Sequence, residues 1–272
     1  MQAADLGSVQ KTLLLPLWGR AVESQRPHPM LVDEAAVRIV NELGYDFSTI
    51  AARMSPITQM AWVCRCVHTD RTLRGFLARF PDAAVVNLGC GLDTTFERID
   101  NGRVQWFDLD LPDVIGLRRR FVHETDRRRF ICSSLLDTRW LESIDRNGPI
   151  FFAALGVFYY IPEIDLKALL KAIADNISAG ELLFDSCSTT GMRIANKRVI
   201  EAGGMSAAAK LVWSLDDPRE IACWDNRVAL IESYPLFRGM KQGRDLKKRW
   251  GMFLSDTLRV MSMVRLGIGA AL

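Results

Sequence analysis

The 272-residue chain is poor in the groups that most hydrolase and metal sites need. It has three histidines, His28, His68 and His123, and none is spaced from another His or a Glu as a zinc motif requires. No G-x-S-x-G elbow is present, which argues against a serine hydrolase, and no G-x-x-x-x-G-K-[ST] loop, which excludes a P-loop NTPase. The six cysteines are scattered without a C-x-x-C pair, so free thiols in a reducing, cytoplasmic setting are expected. No apolar run approaches the ~18 residues of a membrane span, and MQAADLGSVQK does not read as a signal peptide. A surplus of one charge sign is also missing. Thirty-five Lys and Arg against 32 Asp and Glu give +3, too little to argue for nucleic acid. With 49% hydrophobic residues the chain can fill a core, which excludes disorder and small disulfide scaffolds.

What is present is a change of texture near residue 82. Leu31–Leu43 carries a helical apolar period, favoured at its start by Asp33 and Glu34 and ended at Gly44. A second helix is predicted from Ser55 to Phe80, stopped at Pro81. Strand and helix signals then alternate. Strands are expected at 83–88, 104–108, 129–133, 149–155 and 182–185, with final strands at 228–233 and 258–265. Helices are expected at 111–124 and 164–177. This pattern predicts an α/β fold, Rossmann-like and doubly wound, with a mostly parallel seven-stranded sheet. Residues 1–82 form a helical N-terminal extension in this reading. Residues 83–272 form the main domain, with 186–226 inserted as a cap over the carboxyl edge of the sheet.

The informative segment is Asn87-Leu88-Gly89-Cys90-Gly91-Leu92-Asp93-Thr94, a strand running into G-x-G. The two glycines allow a sharp turn and close approach of backbone to a ligand. A dinucleotide fingerprint needs a third glycine where Thr94 stands, which favours a nucleoside cofactor without phosphate over NAD(P). Asp108 and Asp110 end the second strand, 17 and 19 residues beyond Gly91, where an acid can hold ribose hydroxyls. After the third strand, Ser134, Leu135 and Asp137 are placed to face a base. Tyr159 and Tyr160 follow the fourth strand, where substrates lie in such sheets. Met192, Met205, Trp213 and Trp224 in the insertion are candidates for an apolar acceptor pocket. Six arginines at 118–120 and 127–129 read as a solvated helix and loop, with an acidic partner as the sharper alternative.

NLGCGLDTTFERID, WFDLDLPDVIGLRRR and AALGVFYY resemble the leucine carboxyl methyltransferase-like family, whose members are class I methyltransferases using S-adenosylmethionine. The resemblance runs from about Thr12 to Phe237, and is nearest a bacterial branch similar to the tetracenomycin O-methyltransferase of polyketide synthesis. It implies that Gly89, Cys90 and Gly91, extended by Asp93, contact the methionine end of S-adenosyl-L-methionine. It also implies that Asp110 or Asp108, with Leu111, holds the ribose, that Ser134, Leu135 and Asp137 sit near the adenine, and that Leu155 is a further cofactor contact. Arg65 matches a family arginine that pairs with the cofactor carboxylate. Two departures stand out. Leu155 occupies the position of an acid in the protein-carboxyl members, and Thr95 that of an arginine. Both favour a small-molecule acceptor. The expected substrate contacts are Tyr159, Tyr160, Met192 and Trp213. No metal, nucleic-acid or membrane partner is expected, and no catalytic base is evident, so an acceptor already ionised at pH 7 is favoured. An NAD(P)-dependent oxidoreductase and a non-catalytic binding module are the competing readings.

Overall fold

A computed structural model describes residues 10–144, 148–201, 209–241 and 246–269. Four helices come first: α1 (Leu14–Ser24), α2 (Glu34–Leu43), α3 (Ser48–Arg53) and α4 (Pro56–Arg79). Helix α2 starts because the Asp33 carboxylate accepts the amide of Ala36 at 2.9 Å, and stops at Gly44, whose φ is +63°. Helix α4 starts on Ser55, which accepts the Thr58 amide, followed by Pro56 in the first turn.

The sheet contains β1 (Ala84–Leu88), β2 (Gln105–Asp110), β3 (Arg128–Cys132), β4 (Ile150–Ala154), β5 (Ala179–Cys187), β6 (Val228–Pro235) and β7 (Met261–Gly269). Their order is β3-β2-β1-β4-β5-β7-β6, parallel except for β7, which runs antiparallel to both neighbours. Connecting helices are α5 (Thr95–Ile99), α6 (Pro112–Arg118), α7 (Glu163–Asn176), α8 (Thr189–Ala195) and α9 (Leu246–Thr257). The central strands are buried on both faces, so they read as unbroken apolar runs. Alternate residues feed two cores. Val85, Phe151 and Leu183 pack with Phe76 of α4, while Val86, Phe152 and Phe184 pack with Leu169 and Ile173 of α7. The chain moves outward from β1 to β3, then returns to β4. That reversal opens a crevice at the carboxyl ends of β1 and β4, where ligands bind in such sheets.

Several expected boundaries shift. Helix α6 ends at Arg118 instead of Glu124, because the next residues tighten into turns that bury Phe121 and Val122. Strand β7 lies three to four residues later than expected. Strand β5 runs on through Ser186 and Cys187, so the segment expected to begin the insertion is still sheet. The arginine-rich stretch is not uniformly solvated. Arg118 and Arg128 are buried, while Arg119, Arg120 and Arg129 are exposed.

Candidate active site

A cavity of about 1310 Å³ opens at the carboxyl end of the sheet. Gly89, Cys90, Gly91 and Asp93 after β1 line one end, with Asp110 and Leu111 after β2 and Ser134 and Leu135 after β3. Leu155, Tyr159 and Tyr160 after β4 line it too, together with Arg65 from α4. The remaining wall is mostly aliphatic and includes Leu13, Ile57, Ile194, Leu211 and Leu254.

The glycine loop needs its glycines. Gly89 has φ +65° and Gly91 φ +49°. A Cβ on Gly89 would also stand 2.5 Å from Val157 Cγ2. Gly91 is gripped on both sides. Its amide donates to Asp110 Oδ2 at 2.7 Å, and its carbonyl accepts from Arg118 Nη1 at 2.8 Å. Asp110 Oδ1 accepts the Leu111 amide, so each carboxylate oxygen keeps a lone pair for a ligand. Burial pushes the Asp110 pKa up, against the pull of the two amides.

Asp108 corrects the alternative placement of the ribose acid. It is fully buried, does not line the cavity, and is saturated by the protein. Its Oδ1 accepts from Trp106 Nε1 and Asn87 Nδ2, and its Oδ2 from Arg118 Nη2 and Arg128 Nε, all at 2.8–3.2 Å. Burial opposes its charge, but Arg118 and Arg128 outweigh that and hold its pKa below the usual carboxylate value. Asp108 therefore anchors Arg118, and Arg118 holds Gly91.

Asp93 turns its carboxylate to the Thr95 amide and hydroxyl and to Asn87 Nδ2. Despite its burial, Arg20 and Arg98 nearby hold its pKa at about 2. Thr94, which stands where a dinucleotide fingerprint has glycine, donates to Asp33 Oδ2 at 2.6 Å. The same oxygen accepts from Arg20 and Arg98, and Arg98 also grips Asp70 of α4 with two nitrogens. Arg20 further donates to the Leu92 carbonyl. The N-terminal helices are thus wired into the loop that follows β1.

Arg65 is buried against β5. Its Nη1 meets Asp185 Oδ2 at 3.0 Å and the Tyr159 hydroxyl at 3.2 Å. The other Asp185 oxygen accepts the Gly156 amide at 2.6 Å. Gly156 has φ +75°, and a Cβ there would lie 2.7 Å from Arg65 Nη1. Burial disfavours the Arg65 cation, yet Asp185 more than offsets this and raises its pKa. Arg65 Nε is buried with no partner among the described residues, so it is a donor that a ligand carboxylate suits.

Three other expected contacts lie away from the cavity. Asp137 is directed outward and pairs with exposed Arg139 two residues on. Trp213 is buried in the main core with Phe184 and Trp224, because the return of the insertion toward β6 packs under α7. Met192 packs behind Tyr159 with Cys187 and Ile200. Met205 lies outside the described residues. Asp185 and Arg20 were not singled out from sequence, and Arg118 was read only as part of a solvated arginine-rich stretch. Of these, Arg20 left a signal, as a charge inside the otherwise apolar stretch 14–22 of α1.

The leucine carboxyl methyltransferase family model matches residues 14–174. The chain belongs to the leucine carboxyl methyltransferase family. The tetracenomycin polyketide synthesis O-methyltransferase TcmP of Streptomyces glaucescens is 30% identical over 269 residues, covering 98% of this chain and 92% of that protein. The S-adenosyl-L-methionine-dependent methyltransferase dpfgK of Gibberella zeae is 28% identical over 79% of this chain and 78% of its own. In fold, the chain is similar to a DUF574 family protein from Streptomyces avermitilis, with TM-score 0.58 at 12% identity over 93% of this chain and 97% of that one. A methyltransferase from Anabaena variabilis gives TM-score 0.50 at 9% identity, over 74% and 85%.

The family member described here is an S-adenosylmethionine-dependent methyltransferase, and the oxidoreductase and silent-module readings are not favoured. Its residues fit that cofactor. A left-handed double-glycine turn leaves room for it, Asp110 presents lone pairs, and Arg65 has an unsatisfied donor. When bound, the cofactor supplies an activated methyl group on a sulfonium. No described helix is long and apolar enough to cross a membrane.

Proposed function

We propose that the enzyme methylates an oxygen of a small, largely apolar acceptor, a carboxylate ahead of a phenol, in polyketide or other secondary-metabolite tailoring. In this reading Gly89, Cys90, Gly91 and Asp93 hold the methionine end and Arg65 its carboxylate. Asp110 and Leu111 hold the ribose, Ser134 and Leu135 flank the adenine, Leu155 is a further cofactor contact, and Tyr159 and Tyr160 border the acceptor. Residues 1–82 serve as a helical extension on domain 83–272, and the insertion up to about 226 as a partial cap.

One observation carries the preference for carboxylate: among its described residues, the cavity wall offers no histidine, thiolate or phenolate to take a proton from the acceptor. No histidine lines it. Burial raises the pKa of Tyr159 and Tyr160, so both phenols stay protonated and act as donors. Burial also raises the Cys66 and Cys90 thiols and pushes Cys187 up to about 12. Asp93 and Asp110 are committed to the loop backbone. An acceptor that arrives ionised needs only positioning and exclusion of water, and a carboxylate is ionised at pH 7. The Leu155 side chain, standing where protein-carboxyl relatives carry an acid, leaves this part of the wall apolar. The 30% identity to TcmP, named as a polyketide O-methyltransferase, supports the tailoring context.

The test is transfer of labelled methyl from the cofactor to a panel of aromatic carboxylic acids and matched phenols. Carboxylates should give alkali-labile methyl esters, at a rate flat from about pH 6 to 8. Alkali-stable ethers, formed at a rate climbing tenfold per pH unit through about pH 8, would overturn the carboxylate assignment.

A further inference from the structure

A second cleft, about 580 Å³, lies further along α4 and is separate from the cofactor cavity. His68, Arg71, Thr72, Gly75 and Arg79 of α4 form one wall. Glu232 and Tyr234 of β6, Arg265 of β7, and Arg238 with Gly239 in the turn after β6 form the other. Four guanidiniums therefore converge from three parts of the fold: α4, the turn after β6, and β7. Two of them are compensated. Glu181 accepts from Arg79 at 2.6 Å and from Arg265 at 2.7 Å, and Glu232 takes a further Arg265 nitrogen at 3.2 Å. The other two are not. Arg71 forms no ion pair or hydrogen bond among the described residues, and Arg238 makes only a ring contact, 5.7 Å from the centre of Tyr234.

The floor of the cleft is polar and preorganised. His68 is 4% exposed, and its Nε2 meets the Leu236 carbonyl at 2.9 Å. That bond requires the hydrogen on Nε2 and leaves Nδ1 without a partner among the described residues. The imidazole is fixed further by the Tyr234 ring at 5.0 Å, while Thr72 donates to the His68 carbonyl. The side chains of His68, Thr72 and Tyr234 do not line the cofactor cavity.

We propose that this cleft binds a phosphate-type oxyanion, either free or carried as a phosphate monoester on a small metabolite. Arg71 and Arg238 are the primary donors, since guanidinium forks match the oxygens of a tetrahedral anion and these two have no competing carboxylate. His68 Nδ1 supplies a third contact once protonated. Burial, with Arg71 adding to it, lowers the His68 pKa, so the ring is neutral before the anion binds. The charged groups around it are Arg71 on its own helix, Glu232 on β6, Asp256 on α9, and Arg238 and Arg265 across the cleft. A bound dianion adds negative charge opposite that ring and draws a proton onto it. Affinity for a non-titrating anion therefore rises as the pH falls toward the ordinary histidine range.

The experiment uses the full-length protein saturated with S-adenosylhomocysteine, so that the main cavity is blocked. Sulfate, inorganic phosphate and glycerol phosphate are titrated by calorimetry and by imidazole NMR. Three histidines give three resonances, and His68→Gln assigns the one that matters. All three anions should bind, with sulfate tightening at lower pH and, at any fixed pH, only the His68 resonance shifting as anion is added. Arg71→Ala and Arg238→Ala, both at exposed positions, should each weaken binding about tenfold without changing the melting temperature. Glycerol phosphate binding more tightly than phosphate identifies a carried monoester as the ligand. Equal affinities identify the free anion. The proposal is overturned if no anion binds at tens of millimolar, if the arginine variants bind as the parent does, or if only His28 or His123 responds.

Discussion

Asp108 and Asp110 lie two residues apart on the same face of β2, and the structure assigns them opposite jobs. Substituting the first should damage folding, and substituting the second should damage binding. Asp108→Ala leaves Arg118 and Arg128 buried without their shared counter-charge, and strips acceptors from Trp106 and Asn87. Breaking a buried ion pair by removing one partner costs about 3–5 kcal/mol. Some of that is recoverable, because Arg128 also pairs with Glu97 at 2.7 Å and Arg118 keeps the Gly91 carbonyl. A loss of about 3 kcal/mol is therefore expected, read as a lower urea midpoint at unchanged slope. For a chain of this size that corresponds to a melting temperature lower by on the order of 10 °C. Asp108→Asn should lose nearly as much, because its amide nitrogen must face a pair of donors wherever it turns. The pH dependence follows from the lowered folded pKa. The stabilisation is complete above the unfolded value near pH 4 and is lost as the pH falls through the folded value, so the variants should differ least from the parent in strong acid. A variant that unfolds at the parent's urea midpoint while failing to bind S-adenosylhomocysteine would refute the anchoring role and restore Asp108 as a ribose ligand.

Asp110→Ala should fold normally and lose roughly 1.5–3 kcal/mol of S-adenosylhomocysteine affinity by calorimetry, the value of a charge-assisted bond. Gly89→Ala places a side chain at φ +65° and against Val157, so its S-adenosylhomocysteine affinity should fall by tenfold or more, at a strain cost of about 1–2 kcal/mol. Unchanged affinity would mean that the turn can relax. Asp93→Asn should be less stable than the parent at neutral pH and converge on it as the pH falls from about 4 toward about 2, the value at which burial and its arginines hold the parent carboxylate. Parallel acid-unfolding curves for the two proteins would contradict that pairing.

The parts of the fold that were legible are those where one residue pattern decides the local state. Strands β1 and β4 are buried on both faces, so AVVNL and IFFAA announce themselves. The double glycine was legible because its left-handed φ values exclude other residues at little cost only in this way. Strand β5 was underestimated at its start because Glu181 looks like a loop residue, yet it is buried between Arg79 and Arg265 from distant segments. The arginine-rich stretch was misjudged for the same reason. Nothing local separates Arg118 from Arg119, and only the tertiary position of Asp108 draws one inward while the other meets Glu124. Trp213 shows the limit of composition: an aromatic residue in an insertion suits a pocket wall and a core equally, and the packing against Phe184 decides.

The same long-range charges explain how a loop with so little side-chain bulk is held in shape. Glycines give the turn its geometry but no rigidity, since each loses more freedom on ordering than any other residue. The restraint is supplied from outside the loop. Arg118 takes the Gly91 carbonyl, Asp110 its amide, Arg20 the Leu92 carbonyl, and Thr94 is tied to Asp33. Two of those groups come from α1 and the cap of α2, before the first strand. The N-terminal helices therefore do more than cover the cavity: they complete the set of bonds that orders the cofactor loop. The ordering entropy is met on folding instead of on binding, which favours affinity. Arg20 is the residue on which that coupling depends, because among the described residues it alone joins Asp33 to the Leu92 carbonyl. Loss of its side chain should loosen the loop that follows β1 even though Arg20 lies outside the glycine motif itself.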